Sequence, residues 1–148
     1  MKLSTSVSKG TIPFLSVRQP WAWALLHGKD VENRSWSHSY TGPVILHASS
    51  TLPNEDYFRE DCDYVEEVTR LLMPDEIPIG AVIGVIEIQM IVSNSVSPWA
   101  ADGQYHWCTK PIIELPEPVV SKGALKLYWN RDKLTLTEIA RQSRKGGL

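Results

Sequence analysis

Apolar and polar positions along this 148-residue chain change period several times, and each change marks an element. Ile12–Arg18 mixes β-branched, aromatic and polar residues and predicts a short strand. Pro20 opens the next element, at a position where its missing N–H has no helical partner to lose. Trp21, Ala24 and Leu25 then fall on one face at helical spacing, and Gly28 can take the positive φ of a helix stop, so Pro20–His27 predicts a short helix. Val31–Trp36 and Val44–Ala48 read as strands, with turn residues over Tyr40–Pro43. Pro53–Met73 carries Tyr57, Phe58, Cys62, Val65, Val68, Leu71 and Leu72 at helical intervals, with carboxylates between them and Pro74 as its end. Ile79–Val92 is the strongest strand prediction. Apart from Gly84, it sets Val82, Ile86, Ile88 and Met90 on one face, and Glu87 and Gln89 on the other. Gln104–Thr109, Ile112–Leu115 and Ala124–Trp129 predict further strands, and Leu136–Arg144 a closing helix. About six short strands with two or three helices predict an α+β fold built on a small, mostly antiparallel barrel.

Length and composition narrow this picture. A chain of this size fits one domain with a real core. Residues 1–10, rich in Ser, Thr, Lys and Gly, read as a flexible terminus; 11–130 read as the domain, and 131–148 as a basic C-terminal helix or tail. The longest apolar run, Ala81–Val92, is broken by Gly84, Glu87 and Gln89 and falls short of the ~18 residues of a membrane span. Met1–Ser8 lacks the apolar centre of a signal peptide. Cys62 and Cys108 stand far apart with no partner spacing, which points to a reducing, cytoplasmic setting. His27, His38, His47 and His106 show no metal-ligand spacing, and no cofactor or metal is expected.

The formal net charge of −2 excludes a uniformly basic nucleic-acid coat, yet it conceals a gradient. Met1–Arg34 carries five basic and two acidic residues, Glu55–Glu76 two basic and nine acidic, and Lys122–Lys145 seven basic and two acidic. Field follows position, so two basic ends around an acidic middle leave room for a local basic face. Solvated charge on an acidic helix and a basic tail accounts for the same pattern.

The densest chemistry lies in Ser16–Trp36. Residues two apart on a strand point the same way, so Glu32, Arg34 and Trp36 share a face with Lys29 at its entrance. Two cations, a carboxylate and an indole in that grouping can hydrogen-bond a polar ring, stack on it and neutralise a phosphate. A surface Glu32–Arg34 ion pair worth ~0–1 kcal/mol is the bland alternative that the same spacing allows. Trp99, in the polar loop SPWAADGQ, is favoured as a site residue, with Gln104, Tyr105, His106 and Trp107 close behind it. Tyr105 and Trp107 share a strand face that suits a core, and Trp107 and Trp129 read as core. Trp21 and Trp23 divide between two faces of a short helix. His47 reads as structural more readily than catalytic. Ser49, Ser50 and Thr51 suit either phosphate contact or the cap of the following helix. Glu87 reads as the exposed face of an edge strand.

The Ser16–Trp36 segment resembles the opening of the ASCH domain family, within the PUA-like superfold. Lys29, Glu32 and Arg34 match the family pattern Gly-x-Lys-x-x-Glu-x-Arg, although Gly28 directly precedes Lys29 and His27 stands in the glycine's place. The resemblance continues through GPVILHAS, IGAVIGVIEI, SPWAADGQYHW and KGALKLYW, from about Phe14 to Trp129. It implies a PUA-like barrel whose cleft is lined by the Lys/Glu/Arg motif. Relatives of the fold read RNA, DNA or modified bases; one bacterial branch is an amidohydrolase on acetylated cytidine, and ribonuclease activity has been attributed to some members. Fold does not choose among these. The expected function is therefore binding of RNA, single-stranded DNA or a modified nucleotide by Lys29, Glu32, Arg34, Trp36, Trp99, Gln104 and His106. The alternative is a metal-independent hydrolase, an amidohydrolase or a ribonuclease, using Lys29 and Glu32, with His47 and His106 as weaker candidates. In the amidohydrolase branch a threonine stands where this chain has Glu32, which counts against that mechanism. Oligomeric state is left open.

Overall fold

The computed structural model describes residues 2–148. Ten elements follow in the order α1 (Leu3–Ser8), β1 (Phe14–Val17), α2 (Trp21–Leu26), β2 (Val31–Arg34), β3 (Gly42–Ala48), α3 (Glu55–Thr69), β4 (Ala81–Val92), β5 (Tyr105–Val120), β6 (Leu127–Tyr128) and α4 (Lys133–Lys145). The six strands form one sheet in the order β2-β5-β4-β3-β1-β6. Among the described residues, only β1 and β3 pair in parallel; the other neighbours are antiparallel. The sheet curls into a half-barrel with four helices around it, the α+β, mostly antiparallel arrangement that the strand and helix pattern predicts, and it is consistent with the PUA-like barrel that the resemblance implies.

Alternation along the central strands supplies apolar side chains to both faces of the sheet. Phe14, Ile45, Val82 and Val85 pack with Val7 of α1 and Leu136, Ile139 and Ala140 of α4. Leu15, Val17, Val44, Leu46 and Ile86 pack with Ala22 and Leu25 of α2 and with Trp107. A third cluster joins Trp23, Ala24 and Val31 to Val65 of α3 and to Trp99. Burial on both faces explains why β4 departs from simple alternation: residues 81–86 are all buried. Bulges in its pairing with β5 shift the register, and Met90, expected inside, is half exposed.

Several boundaries differ from the sequence pattern for local reasons. The stretch read as a flexible terminus contains α1, because Val7 is fully buried against α4 and the Ser4 N–H reaches the Leu148 carbonyl at 3.2 Å. Met1 of that stretch lies outside the described residues. Pro20 precedes α2 instead of opening it. The buried Gln19 serves both ends there, its Oε1 accepting from the Trp23 N–H at 2.9 Å while its Nε2 donates to the Pro78 carbonyl. Gly28 does take a positive φ of 124° after α2. Helix α3 stops at Arg70 in the left-handed region, four residues before Pro74, and Asn54 caps its start by accepting from the Tyr57 N–H. Ser49, Ser50 and Thr51 are thereby left out of the cap. The strands expected over 104–109 and 112–115 are one bulged strand, β5, and only Leu127–Tyr128 of the expected 124–129 strand pairs. Among the described residues, no helix is long and apolar enough to cross a membrane.

Candidate functional site

A cleft of about 690 Å³ opens where the sheet fails to close, between β2 at one end and β1 near the other. Its walls include Arg18, Trp21, Glu32, Arg34, Trp36 and Lys126, with the hydroxyls of Ser16, Ser49, Ser50 and Thr51. A second hollow of about 390 Å³ lies on the other side of Glu32 and Asn33, bounded by Trp21, Lys29, Tyr64 and Trp99.

The motif residues are coupled as the strand spacing predicts, but more deeply than a surface pair. Glu32 is 6 % exposed and bridges two cations. Its Oε1 accepts from Lys29 Nζ at 3.2 Å; its Oε2 accepts from Arg34 Nε at 2.9 Å and lies 2.8 Å from Nη2. Lys29 is 4 % exposed, also donates to the Val31 carbonyl, and sits 5.9 Å from the Trp21 ring centroid. Arg34 continues the chain of contacts by donating from Nη2 to the Ser16 carbonyl at 2.9 Å. Removal of charge from water is tolerated here because each buried group has an opposite or polar partner.

Electrostatics then sort the two hollows. Among the described residues, Arg18, Arg34 and Lys126 face the large cleft with Glu32 as its sole carboxylate, and that carboxylate is already paired. The small hollow has Lys29 against Glu32 and no surplus charge. The acidic helix α3 contributes nothing to the large cleft. Aromatic surface is present as well. Trp36, just beyond β2, is half-buried, packs edge-on against the fully buried Trp107 at 4.7 Å, and has Lys126 Nζ 5.8 Å from its ring centroid.

Of the residues singled out by sequence, Glu32, Arg34, Trp36 and Gln104 meet in the large cleft, and His47 joins them. Lys29 does not: its ammonium is committed to Glu32 and Val31 on the far side. Trp99 is 7 % exposed and packs with Trp23, Val31 and Val65, so it is chiefly a core residue that borders the small hollow. His106 lies outside both hollows, 3 % exposed. Its Nε2 donates to the Ala101 carbonyl at 2.7 Å and its Nδ1 accepts from the Ser95 N–H, which leaves no nitrogen for a ligand. Trp129, expected in the core, is 47 % exposed, and Tyr105 is exposed although it shares a strand with Trp107. Glu87 is half-buried and faces Lys110 of β5 at 3.9 Å, away from the cleft.

Sequence reasoning missed Ser16. It stands in register with His47 across the parallel β1–β3 pair. Ser16 Oγ lies 2.8 Å from His47 Nδ1 and 3.3 Å from the Tyr128 hydroxyl, while His47 Nε2 lies 2.8 Å from the Ser121 carbonyl. A carbonyl only accepts, so Nε2 carries the proton and the Ser16 hydroxyl donates to Nδ1. Burial pushes the His47 imidazole below its ordinary range, and the bond to Ser121 partly offsets this. Gly123 closes over the pair: a Cβ there would sit 2.5 Å from Ser16 Oγ and 2.8 Å from His47 Cε1. Parallel pairing across 31 residues has no local signature, so nothing in the sequence joins these two side chains. Among the described residues, no three His, Cys, Asp or Glu side chains gather closely enough to hold a metal ion.

No curated protein matches the sequence. A family model described as the ASCH domain matches residues 15–126, a span that contains the buried Lys29–Glu32–Arg34 chain, the Ser16–His47 pair and both walls of the cleft. The chain belongs to the ASCH domain family.

Proposed function

We propose that this ASCH domain binds RNA, single-stranded DNA or a modified nucleotide in the large cleft, through anionic groups and one stacked ring. The observation that supports this best is the charge of the cleft wall: three cations against one carboxylate that is already neutralised. Arg34 is held through Nε and Nη2 by Glu32 and the Ser16 carbonyl, which fixes the guanidinium plane and leaves Nη1 to donate to a phosphate or to the edge of a base. Trp36 offers a ring, and stacking of a base on an aromatic face contributes ~1–3 kcal/mol. Ser49, Ser50 and Thr51 supply hydroxyls to the lining, and Gln104 an amide. Lys29 serves this reading indirectly, by balancing Glu32 so that Arg34 is not fully neutralised.

The hydrolase alternative, built on Lys29 and Glu32 with His47 or His106 as weaker candidates, has little support at Lys29, Glu32 and His106, because these three groups are buried and engaged with one another or with the main chain. Titration of short RNA and DNA oligomers, and of nucleosides, at low and moderate salt tests the binding reading. Affinity that falls as salt rises is expected. Absence of binding to every one of these ligands at low salt would remove it.

A further inference from the structure

We propose that Ser16 and His47 form a nucleophile–base dyad that cleaves an ester or amide acyl group carried on an anionic molecule seated in the large cleft. Three features carry this. The serine hydroxyl donates to an imidazole nitrogen at 2.8 Å. The other imidazole nitrogen is fixed by the Ser121 carbonyl at 2.8 Å, which sets both tautomer and ring orientation. The pair borders a cleft with surplus positive charge. A nucleophile bonded to a base that is oriented by a third group is the arrangement that activates a serine.

His47 itself is 1 % exposed, and it is the Ser16 side chain, only partly buried, that brings the pair to the cleft. Tyr128 Oη, 3.3 Å from Ser16 Oγ and 3.5 Å from the Lys122 carbonyl, further fixes the position of the serine side chain. Burial lowers the His47 pKa from its ordinary value and so favours the neutral imidazole, the form that can accept a proton. In the acylation step Ser16 Oγ bonds to the carbonyl carbon and its proton passes to His47 Nδ1. The C–O or C–N bond of the substrate then breaks, and the departing alcohol or amine takes that proton from Nδ1. Water next attacks the acyl-serine, its proton going to Nδ1 and from there back to Ser16 Oγ as the carboxylic acid leaves. Throughout, Nε2–H stays on the Ser121 carbonyl. Arg18, Arg34 and Lys126 hold the anionic part of the substrate, which favours acylated anions by affinity and leaves attack by Ser16 on a small neutral electrophile open.

The dyad is independent of the nucleic-acid reading and is tested without any nucleic acid. An alkyl fluorophosphonate probe is incubated with the full chain, and the product is read by intact mass and peptide mapping. Attack by Ser16 Oγ on phosphorus releases fluoride and delivers the serine proton to His47. The expected result is one adduct per chain on Ser16, absent from Ser16→Ala and formed about 10²-fold more slowly or less in His47→Gln. No adduct on the folded wild-type chain, an adduct only on another residue, or an unchanged rate in His47→Gln overturns the proposal. The wild-type measurement stands alone if a variant fails to fold.

Discussion

Arg34 Nη2 and the main-chain carbonyl of Ser16 meet at 2.9 Å, across the gap between the β2 end of the sheet and strand β1. One guanidinium thus ties the two sides of an open barrel together and also presents cationic surface to the cleft between them. Arg34→Leu keeps the stem and removes the tie. Hydrogen bonds to charged groups contribute about 1.5–3 kcal/mol, and a loss of about 2 kcal/mol is expected. Urea denaturation measures it as a lower midpoint with an unchanged slope.

Glu32 is the centre of the buried chain, and its removal strands Lys29 at 4 % exposure. Breaking a buried pair on one side typically costs about 3–5 kcal/mol, so Glu32→Ala is expected to approach the whole stability of a small domain. Glu55 of α3 pairs with Arg59 at 3.4 Å in open solvent, and Glu55→Ala is expected to leave the urea midpoint where it was. Equal effects of the two substitutions would refute the burial account.

Much of this site is legible in the sequence and part is not. The period-two spacing of Glu32 and Arg34 predicts a shared face, and they share one carboxylate oxygen contact. Spacing cannot say which cation is buried, because Lys29 turns under the strand to meet Glu32 while Arg34 turns toward the cleft. Tryptophan in a polar loop looks like a ligand platform, yet Trp99 packs on α3 and β2, partners distant in sequence. Trp129 follows the short β6 and has no covering element. The fold class is legible because it depends on local periodicity; Ser16 is not, because its chemistry comes from register with His47.

The two tryptophans differ in what they support. Trp36→Ala is expected to weaken oligonucleotide binding by about 1–3 kcal/mol with a modest stability change. Trp99→Ala is expected to cost about 3–5 kcal/mol of stability, since it empties a packed cluster. Lys126→Ala removes one cation from the rim and should lower the dependence of log affinity on log salt by about 0.7. Parallel titrations over a salt series, with denaturation of each variant, separate these roles.

His47 gives stability a pH dependence of definite sign. Its folded-state value lies below the ordinary imidazole value of 6.5, chiefly through burial. Between those two values the unfolded chain binds more protons, so the contribution is complete above about pH 6.5 and is lost as pH falls through the folded value. Wild-type stability relative to His47→Gln should therefore decline from pH 7 to pH 5. A difference that stays flat or grows on acidification contradicts the assignment.

Photo-crosslinking tests the cleft most directly. A short RNA or DNA oligomer carrying 4-thiouridine or 4-thiothymidine is irradiated with the protein at low salt, and the linked peptides are mapped by mass spectrometry. Crosslinks should fall within 16–36, 49–51 and 122–126, and should disappear with Arg34→Leu under conditions where that variant is folded. Crosslinks confined to α3 or α4, or an unchanged pattern in Arg34→Leu, would contradict a nucleic-acid site in this cleft.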